Sequence, residues 1–117
     1  MYPVRPNMLI RKLYPSAIWR ILSEEKKLFL TFDDGPTAEV TPQILSILHS
    51  YKAKAIFFCV GENIEKHPDI FRQIISEGHS VGNHTYNHLN GWETKTEKYL
   101  ENIKKCEEVI NRVSEIK

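Results

Sequence analysis

The sequence predicts an α/β fold with a parallel sheet, and three observations carry that reading. Leu28-Phe29-Leu30-Thr31-Phe32 and Ala55-Ile56-Phe57-Phe58-Cys59-Val60 are almost continuously apolar, as strands covered on both faces are. Amphipathic segments of helical period lie between and after them. The resulting order is leader, strand, helix, strand, helix, strand, helix, and such alternation builds parallel sheets.

Each element carries its own signals. A third, shorter strand is expected at Ser80-Val81-Gly82-Asn83. Thr41 is placed to cap a helix with Pro42 at its first position, and Ile44, Leu45, Leu48 and Tyr51 would share its apolar face. Pro68 opens the next helix, with Ile70, Phe71, Ile74 and Ile75 as its stripe and Gly78 as a left-handed stop. Tyr99, Ile103, Cys106, Ile110 and Val113 recur at steps of four and three, which predicts a helix from about Thr96 to Val113. Residues 1–27 form a leader expected to pack on the domain, and residues 28–117 form the domain itself.

Bulk properties exclude several function classes. The chain has 117 residues, far fewer than the ~250 typical of a closed (β/α) barrel. Sixteen basic and fifteen acidic residues nearly cancel and are spread along the chain, so no footprint for nucleic acid or an anionic membrane is visible. In the leader the longest apolar run is Met8-Leu9-Ile10, too short for a signal-peptide core or a membrane span. A cytoplasmic location is the corresponding expectation. Cys59 and Cys106 lie far apart within apolar patterns, which suits buried free thiols.

In crossover folds of this kind, chemistry collects where parallel strands end. The polar residues expected on that rim are Asp33 and Asp34, then Gly61-Glu62-Asn63, then His84 and His88. In a helical turn, residues four apart place their Cβ atoms about 5–6 Å from each other, so His84 and His88 could present ring nitrogens to one ion. Two imidazoles and one carboxylate leave coordination positions open for water and substrate, the pattern of a catalytic metal. Adjacent Asp33 and Asp34 would point to opposite faces of an extended strand, so one would bind metal while the other takes the proton of the bound water. A solvated Asp-Asp-Gly-Pro turn and a surface turn with two hydrated histidines are the bland alternatives. His49, His67 and His79 are not aimed at the rim and are read as structural.

The runs Thr31-Phe32-Asp33-Asp34-Gly35-Pro36 and His84-Thr85-Tyr86-Asn87-His88 resemble the first two motifs of the polysaccharide deacetylases, also called NodB-homology domains or family 4 carbohydrate esterases. The likeness extends through Ala53 to Gly61 and Gly78 to Asn83, and covers roughly Leu28 to Val113. It implies the first part, about three βα units, of a distorted (β/α)7 barrel. It assigns Asp33 as general base, Asp34, His84 and His88 as metal ligands, and Thr85 as a brace of the loop through hydrogen bonding. The implied cofactor is a divalent metal, zinc first, with cobalt or nickel possible. The implied reaction is hydrolytic removal of acetyl groups from N-acetylated or O-acetylated polysaccharide.

The later motifs of that family, Arg-x-Pro-Tyr, an Asp-containing element and Leu-x-x-His, cannot be placed in this chain. A truncated domain, nearly inactive alone, is therefore expected. The unclosed sheet would leave an apolar edge, so self-association or a completing C-terminal fragment is the expected partner. A non-catalytic metal-binding or carbohydrate-binding fragment is the alternative. A two-histidine, one-carboxylate iron oxygenase is disfavoured, because strands here alternate with helices and the carboxylate lies fifty positions before the first histidine.

Overall fold

The computed structural model of the chain describes residues 7–19, 24 and 26–114. Its elements follow in the order α1 (Met8–Leu13), β1 (Thr31–Gly35), α2 (Val40–Ser50), β2 (Ile56–Cys59), α3 (Gly61–Lys66), α4 (Pro68–Ser76), β3 (Ser80–Asn83) and α5 (Thr96–Ser114). The strands make one parallel sheet with β2 in the middle. Their C-terminal ends therefore share one rim.

Side-chain alternation along the strands sorts the sheet into two faces. Phe32, Phe57 and Val81 stand in one row across the three strands. Phe57 is buried, and Phe32 stacks on it with ring centroids 5.1 Å apart. This row meets Leu45 and Leu48 from α2, Ile64 from α3, Phe71 and Ile74 from α4, and Val109 and Val113 from α5 in one core. Asp33, Phe58 and Gly82 form the next row, which alternation assigns to the other face. Gly82 is needed there: a Cβ at this position would lie 2.5 Å from Cδ1 of Phe58.

Several elements start or end where the sequence places them. α4 begins at Pro68, β3 spans Ser80–Asn83, and Gly78 takes φ 78° behind α4. Others differ, for identifiable reasons. β1 begins at Thr31, because Leu28 to Leu30 precede the paired register and are exposed, Leu28 at 90%. The expectation that both faces of the first strand are covered fails with it: Thr31, Asp33 and Asp34 are exposed.

α2 starts at Val40, so Thr41 lies inside the helix rather than capping it. Its buried hydroxyl instead accepts the Thr37 N–H at 2.9 Å, bracing the turn ahead of the helix. Tyr51 is 80% exposed, because the helix has ended and the ring leaves the stripe. On α5 the buried set is Cys106, Val109 and Val113, and Tyr99, Ile103 and Ile110 are only half-buried. The short helices α1 and α3 were not anticipated. The leader's expected packing falls partly outside the described residues, and α1 buries none of its own.

The core assignments yield a contrast. Phe71 is fully buried, so Phe71→Ala should cost about 3–5 kcal/mol. Tyr51→Ala should stay within about 0.5 kcal/mol, as exposed substitutions do. Urea unfolding of both variants measures the pair; comparable losses would contradict the placement of Tyr51 outside the core.

Candidate metal centre

The rim is shaped first by an irregularity in β1. Asp33 pairs with Phe58, yet the next residue to find a partner is Gly35, opposite Cys59. Asp34 is the extra residue of a bulge and takes φ 68°. In an unbroken register Asp34 would face Cys59, on the side the helices cover, where a carboxylate would be buried without charge compensation. The bulge re-aims it outward. Asn63 of α3 fixes the new path by donating from Nδ2 to the Asp34 carbonyl at 2.7 Å.

The second contribution is the loop after β3. It is not the helical turn expected for two histidines four apart: residues 84–88 are neither helix nor strand, and Thr85 and His88 have φ 63° and 56°. Left-handed backbone at a β-branched threonine is strained and persists only where its surroundings fix it. Thr85 is buried, and its hydroxyl accepts the Leu89 N–H at 3.1 Å. The first amides of α3 reach the same loop, Gly61 N–H to the Thr85 carbonyl at 3.0 Å and Glu62 N–H to the Tyr86 carbonyl at 2.8 Å. At Gly61 a Cβ would come within 2.7 Å of the Tyr86 ring, so helix and loop approach closer than any side chain permits.

These two constraints bring three functional groups together. Nε2 of His84 lies 3.1 Å, and Nε2 of His88 3.0 Å, from the same Asp34 Oδ1. The imidazole centroids are 5.0 Å apart. Ligands at about 2.0–2.2 Å from a tetrahedral ion stand roughly 3.3–3.6 Å from one another. The three donor atoms all lie within 4.8 Å of one another, so the donor set fits a divalent cation in type and spacing. Asp33, the other predicted residue, is exposed on the neighbouring strand position. A hollow of about 160 Å³ beside the imidazoles is lined by Thr85, Leu89, Tyr99 and Ile103 among others.

The fold and this triad invite comparison with known proteins, and the polysaccharide deacetylase family model matches residues 22–117. The chain belongs to the polysaccharide deacetylase family. A peptidoglycan-N-acetylglucosamine deacetylase of Bacillus cereus is 49% identical over 85 residues, which are 73% of this chain and 31% of that protein. The solved peptidoglycan deacetylase PdaC of Bacillus subtilis superposes with a TM-score of 0.75 at 33% identity, covering 80% of this chain and 46% of that one. A family 4 acetyl xylan esterase from Clostridium thermocellum, solved in complex with a cobalt ion, superposes with a TM-score of 0.70 at 29% identity over 75% of this chain and 43% of that one. The polysaccharide deacetylase stretch seen here thus spans less than half the length of these relatives. Its three parallel strands with flanking helices are the corresponding part of the deacetylase fold.

The remaining histidines and the cysteines are not part of this donor set. His79 is buried under Phe57, edge to face at 5.4 Å, and its Nδ1 accepts the Ala55 N–H at 3.3 Å. Burial first, then Lys54, lowers its pKa from 6.5, against a smaller opposing effect of Glu77. Cys59 and Cys106 are buried free thiols, and burial followed by the proximity of Cys106 pushes Cys59 up to about 12. The sequence reading overlooked Asn102 and Glu65. Asn102 contacts the histidine loop directly. Glu65 accepts the Tyr86 hydroxyl at 2.8 Å and pairs with Arg112, which together hold its carboxyl below the usual range.

The buried histidine gives a pH prediction. Between its lowered folded value and 6.5 the unfolded chain binds a proton that the folded chain refuses, so stability rises with pH across that window. Its contribution is complete above about pH 6.5 and fades as pH falls below. Unfolding free energies from pH 7 to pH 5 should drop less steeply for His79→Gln than for the parent; parallel curves would refute this.

Proposed function

We propose that this chain carries the metal-holding part of a hydrolase that removes acetyl groups from an acetylated glycan. Asp34, His84 and His88 are the ligands and Asp33 is the general base. The observation that carries the proposal is the shared approach of two imidazole Nε2 atoms to one Asp34 oxygen on the strand-end rim. Zinc is the first candidate ion, with cobalt and nickel as alternatives. Relatives that are peptidoglycan-N-acetylglucosamine deacetylases favour N-acetylglucosamine in peptidoglycan as the substrate unit.

A divalent ion at such a site lowers the pKa of bound water and polarises the scissile carbonyl. The chain's own residues do the rest. Both imidazoles must be neutral to offer Nε2 lone pairs, and Asp34 contributes the negative charge that a two-histidine site otherwise lacks. Asp33 has no place in the triad and remains available to take the water proton. Oxygen attack on the acetyl carbon then breaks the C–N bond, acetate leaves, and the sugar nitrogen takes a proton.

That last proton and a donor for the developing oxyanion are assigned to no residue of this chain. General acids contribute about 10²–10⁴-fold and oxyanion donors about 10²–10³-fold. Residues 28–114 alone should therefore bind metal but release acetate at least about 10⁴-fold more slowly than ordinary enzymes. The second reading, a metal-binding part without chemistry of its own, rests on the same gap.

Calorimetric titration with Zn²⁺ tests the roles. Asp34→Ala and His84→Ala should abolish binding, and Asp33→Ala should retain it. Equal loss in Asp33→Ala would overturn the division between base and ligand. Acetate release from N-acetylglucosamine oligomers, with and without a co-expressed downstream segment of a relative, separates the two readings: restored turnover that Asp33→Asn removes supports the enzyme, and none in any mixture supports the non-catalytic part.

A further inference from the structure

Resting on the metal reading above, we infer that Asn102 of α5 is a positioning residue that sets the two-histidine loop for its ion. The argument is an accounting of backbone hydrogen bonds. Residues 84–88 follow no repeating pattern, so the N–H groups of residues 84–87 turn to individual acceptors. His84 N–H donates to the Cys59 carbonyl at 3.0 Å, and Thr85 N–H to Asn83 Oδ1 at 2.9 Å. Both acceptors belong to the ends of strands that the core already holds in place.

The next two amides lie beyond the reach of the sheet. Tyr86 N–H, at 2.7 Å, and Asn87 N–H, at 3.5 Å, both donate to a single atom, Asn102 Oδ1. The same carboxamide donates from Nδ2 to Asn87 Oδ1 at 2.9 Å. One side chain thus engages three groups in the stretch between the two imidazoles. It acts where the chain passes from left-handed Thr85 to left-handed His88, the step that decides where His88 points relative to His84.

Nearby anchors do not duplicate this. The Tyr86 hydroxyl on Glu65 and the Lys105 ammonium 3.5 Å over the Tyr86 ring hold a side chain, and Gly61 and Glu62 of α3 hold only the carbonyl ends of these two peptide groups, leaving their N–H ends to Asn102. Asparagine is also a weak helix former, because its amide competes for backbone partners. Its place in the second turn of α5 is therefore explained by what it touches rather than by the helix. Removing the carboxamide would strip Tyr86 N–H of its acceptor and loosen the segment between two ligands, which α3 would then hold by its carbonyls alone. Groups that orient ligands from outside the coordination sphere typically change metal affinity about 10–100-fold.

Co²⁺ titration of the full chain, followed by visible absorption and by calorimetry, tests this. The parent should take up one Co²⁺. Asn102→Leu should bind about 10–100-fold more weakly and with altered visible bands. Asn102→Asp keeps acceptor oxygens for both amides, and Asn87 can turn its own amide to meet the carboxylate, so this variant should recover most of the affinity and the parent spectrum. Val113→Ala, which loosens α5 at its far end, should lower the unfolding midpoint yet leave the bands unchanged. Parent affinity and bands in Asn102→Leu would overturn the inference, as would band changes in Val113→Ala matching those of Asn102→Leu. Should Asn102→Leu fail to fold, Asn102→Ala is read by the same criteria. A parent chain that takes up no Co²⁺ sinks the metal reading itself, a distinct failure.

Discussion

Everything at the rim depends on keeping the Asp34 carboxylate out of the core. The pleat of β1 would send it beneath the helices, opposite Cys59, among apolar core residues. One inserted residue resolves the conflict: the bulge leaves Asp33 on the outer face, gives the covered position to Gly35, and lets Asp34 emerge beside two imidazoles. Left-handed backbone at Asp34 carries some strain, moderated because aspartate tolerates that region better than most residues. Asn63 and the Val60 N–H to the Gly35 carbonyl hold the irregular segment in place.

The histidine loop meets the same demand by different means. Strained backbone at Thr85 and His88 is tolerated because α3, α5 and the sheet each satisfy part of the loop. α3 has no room for a side chain at Gly61, and it spends its first free amides on loop carbonyls instead of water. Asp34, His84 and His88 thus come from segments whose geometry no single element dictates.

Much of this was legible in the sequence, because the signals were local. Pro68, Gly78 and the spacing along α5 act within one or two turns, and the structure follows them. The grouping of strand-end residues was legible too, since parallel topology alone puts Asp34, His84 and His88 on one rim. The means of their meeting was not. A bulge depends on which neighbour a strand pairs with, and Asp33-Asp34 reads identically in a regular strand. Likewise the spacing of His84 and His88 fits a helical turn, and it is contacts from the sheet, α3 and Asn102, distant in sequence, that hold the chain on another path. Leu28 to Leu30 misled because apolar character marks what prefers to be covered, not what the described residues cover.

The shared anchoring of the loop has a consequence for how it moves. Its amides and carbonyls are tied to β2, β3, α3 and α5 at once, so no small excursion of residues 84–88 releases them together. A larger displacement of this stretch must break bonds to both helices and to the sheet, so it draws on more than the loop's own stability. The spacing of the two imidazoles is thus a property of the surrounding scaffold and not of five loop residues by themselves.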